Sequence, residues 1–176
     1  TTLHTQDDGN DQTLMNNADI AVYAAKDAGK NNFRYFSSEM SNASQERANL
    51  ESSLRRALAQ EEFELHYQAR RDLRSGRLTA REALLRWNHP ELGTIAPNKF
   101  LPLAEETGLI VPIGRWVLRN ACRQNVDWVR QGMPRVCVAV NLSARQFFDP
   151  CLVSDVRTIL DEYGMAPELL ELEISE

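Results

Sequence analysis

The chain has 176 residues, a formal net charge of −5 and 43% hydrophobic residues. This is enough for one domain with a hydrophobic core, or for parts of two domains. The acidic balance argues against a protein that binds duplex nucleic acid, which normally presents a basic face. No apolar run reaches the roughly 18 residues that would predict a membrane span.

The cysteines, Cys122, Cys137 and Cys151, are odd in number and form no CxxC pair. This usage argues against a disulfide framework and against a zinc site. It predicts a reducing compartment, which we interpret as the cytoplasm. A longer parent protein that is attached to a membrane through an upstream segment is compatible with this prediction.

The first part of the chain predicts a helix over 12–28, because Leu14, Ala18 and Ala21 fall on one helical face. Alternation over 32–36 then predicts a short strand. One helix and one strand cannot bury a core. We therefore interpret this part as the end of a domain whose body lies upstream.

Residues 37–60 form a polar helical stretch with sparse apolar positions, which we interpret as a connecting helix. The pattern then changes, and apolar residues alternate over 63–68 as in a half-buried strand. A turn signal at Ser75-Gly76 separates this strand from an apolar run over 78–87. Strands joined by so short a connection pair antiparallel.

The remaining elements alternate between helices and apolar strands. They are predicted as helices over 98–106 and 112–131, a strand over 135–141, a helical turn over 144–148, a helix over 152–163 and a strand over 169–174. Such alternation predicts an α/β fold with a parallel sheet that is either open or closed into a barrel.

Three oxygen-bearing side chains lie near the carboxyl ends of predicted strands: Glu82, Asn141 and Glu173. In barrels of this kind, functional residues gather at those ends. Carboxylate and amide oxygens without Cys or His favour Mg²⁺ or Mn²⁺ over zinc or copper. Arg86 follows Glu82 by four residues, and its guanidinium could hold a phosphate group. A hard metal beside an arginine indicates phosphoryl chemistry, in which metal-bound water becomes the nucleophile.

Each of these residues also has an ordinary structural interpretation. Glu82 and Arg86 could form an internal ion pair, which is a common arrangement for charges in apolar sequence. Asn141 could cap the helical turn that begins at Ala144. His66 alternates within its strand and fits a half-buried residue better than a ligand. Only the three oxygen ligands taken together favour a metal site.

Five motifs occur in register over residues 63–176. They are YQ at 67–68, EALLRW at 82–87, PNKFLPLAEETGLI at 97–110, VNLS at 140–143 and LEISE at 172–176. This set resembles the first half of EAL domains, the cyclic di-GMP phosphodiesterases, whose name comes from the second motif.

A further motif, ADIAVYAAKDAGKN at 18–31, resembles the closing helix of GGDEF domains, the diguanylate cyclases. The nucleotide-binding loop of that family is not among these residues, so no cyclase chemistry is carried over. The two resemblances imply a GGDEF remnant over 1–36, a linker helix over 37–60 and the N-terminal half of an EAL domain over 61–176.

The EAL resemblance implies a partial TIM-like barrel with an antiparallel first strand, and the hydrolysis of cyclic di-GMP to linear pGpG. It implies a divalent metal, Mg²⁺ or Mn²⁺, held by Glu82, Asn141 and Glu173. The resemblance also assigns a catalytic role to Glu82. The residues that it implies as contacts to the dinucleotide are Gln68, Leu84 and Arg86.

The sequence departs from the family pattern at several positions. Ala69 stands where proline is usual, Arg81 where a small residue is common, and Ser175 replaces threonine. The later family motifs, including an aspartate pair that completes the metal site, do not occur in the sequence. We therefore expect a fragment of a longer GGDEF-EAL protein with sensory domains upstream. Alone, the fragment should be inactive unless two copies complete each other as a homodimer.

A second hypothesis is that the parent protein is a degenerate EAL module that binds cyclic di-GMP as a receptor, or serves as an interaction module. A receptor has no need of metal ligands. The presence of Glu82, Asn141 and Glu173 therefore favours the enzyme.

Overall fold

The computed structural model describes residues 11–27 and 32–174. The chain divides into two compact units, residues 1–52 and 53–176. Within the described residues, no helix is long and apolar enough to cross a membrane.

The first unit contains α1 (Asp11–Asp27) and most of α2 (Ser38–Ala57). Both predicted helices are confirmed, and the Arg47 guanidinium of α2 lies 5.2 Å from the ring centre of Tyr23 in α1. The predicted strand over 32–36 is wrong, because residues 32–37 form neither helix nor strand. No strand is described in this unit with which they could pair, and a strand needs such a partner. The end of the GGDEF-like motif, residues 28–31, lies outside the described residues.

The second unit is built on a five-stranded mixed sheet. Its strands are β1 (Phe63–Arg71), β2 (Leu78–His89), β3 (Gly93–Ile95), β4 (Cys137–Leu142) and β5 (Leu170–Ile174). The order is β1-β2-β4-β5, and β3 pairs with the end of β2. β1 is antiparallel to β2, whereas β4 is parallel to both β2 and β5. The predicted hairpin and the predicted parallel strands are therefore confirmed.

Four helices accompany this sheet. They are α3 (Pro97–Thr107), α4 (Ile110–Arg130), α5 (Ala144–Phe147) and α6 (Leu152–Tyr163), and a 3₁₀ turn, Pro167–Leu169, leads into β5. The four helices were each predicted to within a few residues, whereas the 3₁₀ turn was not predicted. Pro97 begins α3, where its missing N–H has no cost, and Gly108 ends it in the left-handed conformation with φ 79°.

One face of the sheet is buried and carries the core. Trp87 of β2 is fully buried, and its ring lies 5.5 Å from that of Phe100 and 6.1 Å from that of Phe63. Val138 and Val140 of β4 are buried on the same face. Since side chains alternate along a strand, the residues between them point to the opposite face. That opposite face carries the polar residues described below.

Arg81 is an exception on the buried face. It is 5% exposed, and its guanidinium lies 4.6 Å from the ring centre of Trp128. It also donates hydrogen bonds to Asn125 Oδ1 and to the carbonyl oxygen of Pro134, both at 3.4 Å. Burial lowers its pKa. Arg81 thus fills the space below Trp128 that a smaller residue would leave open.

We expect Arg81→Ala to lower the free energy of unfolding by about 2–4 kcal/mol, since it leaves a cavity and removes the cation–π contact. Arg81→Met keeps most of the volume and should cost clearly less. Urea denaturation of both variants measures the difference. Equal losses would show that the polar contacts, and not the filled volume, stabilise this position.

Candidate functional site

Three of the predicted site residues lie on the exposed face of the sheet. β1 and β2 pair Gln68 with Glu82, and β4 and β5 pair Asn141 with Glu173. Glu82 pairs with Ala139, two residues before Asn141. Because paired residues share a face and every second residue returns to it, Glu82, Asn141 and Glu173 project from the same side.

These side chains meet around a residue that the sequence analysis did not select, Arg70 of β1. Its Nη2 donates to Glu82 Oε2 at 2.9 Å and to Glu173 Oε2 at 2.7 Å. Its Nη1 donates to Glu173 Oε1. Asn141 Nδ2 donates to Glu82 Oε1 at 2.9 Å. The two carboxylates therefore share one guanidinium, and Asn141 contacts the first of them.

The surroundings favour the charged form of each of these groups. Hydrogen bonds from Asn141 and Arg70 hold the pKa of Glu82 below its usual range. The hydrogen bond from Arg70 does the same for the pKa of Glu173. The two carboxylates in turn raise the pKa of Arg70. Glu171 adds a further negative charge, with its Oε1 at 3.6 Å from Arg70 Nη1.

This arrangement predicts a pH dependence of stability. The pKa values of Glu82 and Glu173 are lower in the folded state than the value of about 4.3 expected for an unfolded glutamate. Their contribution is therefore fully present above that value and is lost as the pH falls through the lowered folded values. Each contributes a slope of at most about 1.4 kcal/mol per pH unit.

In metal-free buffer, Glu173→Gln should flatten the fall in unfolding free energy between about pH 5 and pH 3. Chemical denaturation at a series of pH values measures this profile. If the unfolding free energy of the variant fell with decreasing pH as steeply as that of the natural protein, the proposed coupling between Glu173 and Arg70 would be contradicted.

The predicted alternative of a Glu82–Arg86 ion pair is not what the structure shows. Glu82 pairs with Arg70, whereas Arg86 Nη1 donates to the carbonyl oxygen of Leu85 at 2.8 Å. The sequence contained one signal for Arg70. It follows Gln68 by two residues, so extending the alternation of β1 places both on the same face. The predicted strand over 63–68 ends before Arg70, so it did not include this residue.

The three residues that were predicted to contact a dinucleotide lie on the same face of the sheet as Glu82. Gln68 is exposed beside Glu82, and Leu84 and Arg86 follow Glu82 by two and four residues on β2. Leu84 and Arg86 are half-buried. Gln68 therefore lies directly beside Glu82, whereas Leu84 and Arg86 lie toward the carboxyl end of β2.

The alternative role of Asn141 as a helix cap belongs instead to Ser143. The Ser143 side chain accepts from the backbone N–H of Gln146 at 3.3 Å, and Gln146 Oε1 accepts from the backbone N–H of Ser143 at 3.1 Å. This capping box begins α5. Asn141 is therefore free to face Glu82.

Gln146 is buried against α4 at Gly114. A Cβ atom at that position would lie 1.8 Å from Gln146 Nε2. Glycine is normally unfavourable inside a helix, by roughly 0.5–1 kcal/mol relative to alanine. The close approach of Gln146 explains why a glycine occupies position 114. The same contact fixes the position of the segment that follows Asn141.

The residues present suit a hard divalent cation in their chemistry. Among residues 11–27 and 32–174, no group of three or more His, Cys, Asp or Glu could hold a metal ion. The candidate set is instead two carboxylates and one amide. Mg²⁺ is commonly bound by one or two carboxylates, with water and substrate oxygens completing its shell. Glu82 and Glu173 already converge on one positive charge, which is what such a site requires.

Comparison with known proteins identifies the family. The EAL domain family model matches residues 51–176, well over half of the chain. This chain belongs to the EAL family. The five motifs that resemble EAL domains all lie within the matched part.

Two curated relatives illustrate the match. The chain is 48% identical over 163 residues to the bifunctional diguanylate cyclase/cyclic di-GMP phosphodiesterase MucR of Pseudomonas aeruginosa, covering 93% of this chain and 24% of MucR. It is 38% identical over 169 residues to the cyclic di-GMP phosphodiesterase PdeR of Escherichia coli, covering 96% of this chain and 25% of PdeR. The chain thus spans about a quarter of the length of these relatives.

Solved EAL structures share the fold. The MucR phosphodiesterase in complex with c-di-GMP matches with a TM-score of 0.70 and 48% identity, over 73% of this chain and 52% of that chain. The FimX EAL domain of Xanthomonas citri in complex with c-diGMP matches with a TM-score of 0.67 and 31% identity, over 77% and 52%. The predicted partial TIM-like barrel with an antiparallel first strand is confirmed. The GGDEF remnant and the domain boundaries stay predictions.

Proposed function

We propose that the EAL domain to which this chain belongs hydrolyses one phosphodiester bond of cyclic di-GMP and releases linear pGpG. The observation that carries the proposal is the convergence of Glu82, Asn141 and Glu173 on one exposed face of an EAL sheet. The names of MucR and PdeR, which are cyclic di-GMP phosphodiesterases, support the same reaction.

In this proposal, Glu82 and Glu173 hold Mg²⁺ or Mn²⁺ through their carboxylate oxygens, and Asn141 contributes its amide oxygen. When bound, the metal polarises a phosphoryl oxygen and lowers the pKa of a water molecule. Glu82 is the central residue because it contacts both Asn141 and Arg70. Glu82 is ionised at neutral pH, as a ligand must be, and its lowered pKa extends the ionised form to more acidic pH.

Gln68, Leu84 and Arg86 bind the dinucleotide in this proposal. Arg86 has a planar guanidinium that can donate two parallel hydrogen bonds to a phosphate group. Leu84 offers an apolar surface between Glu82 and Arg86, and Gln68 offers an amide beside Glu82. All three lie on the sheet face that carries the proposed metal ligands.

A second candidate function is that of a receptor or interaction module that binds cyclic di-GMP without hydrolysing it. The observation that favours it is Arg70, whose guanidinium neutralises part of the charge of the two carboxylates. A module with its own internal cation can keep Glu82 and Glu173 ordered without a metal.

We further propose the organisation of the parent protein. Residues 1–36 close a GGDEF domain, residues 37–60 link it to the EAL domain, and sensory domains lie upstream. The protein acts in the cytoplasm and pairs as a homodimer. The name of MucR, which includes a diguanylate cyclase, supports the tandem arrangement.

The test is the turnover of cyclic di-GMP by the full-length protein with MnCl₂, followed by chromatography of pGpG. Formation of pGpG that stops on adding EDTA supports the phosphodiesterase. Binding of cyclic di-GMP without pGpG supports the receptor instead. Neither binding nor turnover would overturn both candidate functions.

A further inference from the structure

We propose that Arg70 is a built-in competitor of the divalent cation, and that it sets how tightly this EAL site binds metal. The inference rests on the proposed function, since it assigns Glu82 and Glu173 as metal ligands. Arg70 is a positioning and affinity-setting residue, and it takes no part in the chemical step.

The first support is the geometry of the contacts. Arg70 Nη2 bridges Glu82 Oε2 and Glu173 Oε2, at 2.9 and 2.7 Å, and Nη1 reaches the second oxygen of Glu173. A cation held by the same oxygens would sit at about 2.0–2.1 Å from them. Two positive groups cannot approach shared oxygens so closely without strong repulsion. Metal binding therefore requires the guanidinium to withdraw from the carboxylates.

The second support is the path of the Arg70 side chain across the sheet. β1 and β5 are at opposite edges of the order β1-β2-β4-β5, so a contact from Arg70 to Glu173 passes over β2 and β4. On that face β2 carries Ala80, opposite Arg70, and β4 carries Ala139, opposite Glu82. Both alanines are buried. Small side chains in these two positions leave room for a long one to lie across the sheet.

The third support is electrostatic. Glu82, Glu173 and the nearby Glu171 would repel one another without a positive group among them. Arg70 supplies that group from within the chain and is half-buried while doing so. The carboxylates are thus held close together before metal arrives. The site is therefore ordered before metal binds, but metal binding breaks the contacts of Arg70 with Glu82 and Glu173 and is weakened by that loss.

Arg71 provides a matched control. It is the next residue of β1, is exposed, and donates from Nη1 to the carbonyl oxygen of Gly76 at 2.9 Å within the hairpin turn. Replacing it removes the same charge from the same end of the strand. Long-range electrostatic effects of losing one arginine therefore appear in both variants, and competition at the carboxylates only in the Arg70 variant.

The experiment is calorimetric titration of MnCl₂ into the full-length protein without nucleotide, for the natural protein, Arg70→Gln and Arg71→Gln. We expect Arg70→Gln to bind Mn²⁺ about 10-fold more tightly or better, and Arg71→Gln to stay within about 2-fold of the natural protein. The rise in melting temperature on adding MnCl₂ should be larger for Arg70→Gln, because stabilisation by a ligand grows with its affinity.

A third variant, Arg70→Lys, keeps the positive charge. It serves as a control in case Arg70→Gln folds poorly. Its affinity should lie between those of the natural protein and Arg70→Gln. Mn²⁺ affinity that is unchanged or weaker in Arg70→Gln would overturn the competition while leaving the metal site in place. Absence of Mn²⁺ binding in every variant would instead overturn the proposed metal site itself, and the inference with it.

Discussion

Replacing Glu82 with glutamine is expected to lower the rate of the proposed cyclic di-GMP hydrolysis by about 10²- to 10³-fold. A bound metal contributes several kcal/mol of transition-state stabilisation, and each factor of ten corresponds to about 1.4 kcal/mol. Glutamine keeps the size of the side chain but removes the negative charge that contacts Arg70 and Asn141. Release of pGpG by the full-length protein at saturating MnCl₂ measures the loss.

Glu168→Gln makes the same chemical change at an exposed position that pairs with Arg135 at 3.3 Å, away from the candidate site. Its hydrolysis rate should stay close to that of the natural protein. If Glu82→Gln retained full activity while Glu168→Gln behaved normally, Glu82 would lose both the catalytic and the metal-binding role proposed for it.

Replacing Gly114 with alanine is expected to destabilise the protein by about 1–3 kcal/mol, although alanine is the better helix former. The new methyl group would overlap Gln146 Nε2, and the Gln146 side chain would have to leave its bond to the Ser143 backbone. Because Gln146 is buried, it has little room to move elsewhere. Urea denaturation measures the loss.

The double variant Gly114→Ala/Gln146→Ala separates the clash from other effects. If the overlap with Gln146 is the cause, adding Gly114→Ala to Gln146→Ala should cost almost nothing. A Gly114→Ala protein that is more stable than the natural one would contradict the expectation. It would show that the helix tolerates a methyl group at this position.

The sequence predicted the sheet well, and it also predicted that Glu82, Asn141 and Glu173 lie close together, because both depend on local patterns. Alternation located β1, and the apolar run located β2, whose buried face is fixed by Trp87. A slip of one residue would expose that face, so the register was strongly determined. The same constraint places Glu82 and Asn141 on the opposite face.

The features that sequence reasoning missed depend on pairing that a short run of residues does not show by itself. β3 is only three residues long, too short for an alternating pattern of its own, and it is a strand because it pairs with the end of β2 a few residues earlier. Residues 32–36 have a strand-like pattern but no described partner strand in their unit. Arg70 reaches Glu173 across 103 positions of sequence. This contact could be recognised only once the order of the strands was known.

The antiparallel direction of β1 affects which residues of the candidate site can change independently during evolution. Arg70 pairs with Ala80 and so approaches Glu82 from the amino-terminal side of the parallel strands, whereas Leu84 and Arg86 lie toward their carboxyl ends. Arg70 on β1 and two of the proposed nucleotide contacts on β2, Leu84 and Arg86, therefore lie on opposite sides of Glu82. Under the proposed roles, we expect substitutions of Arg70 to change metal affinity and substitutions of Arg86 to change nucleotide binding, each with little effect on the other.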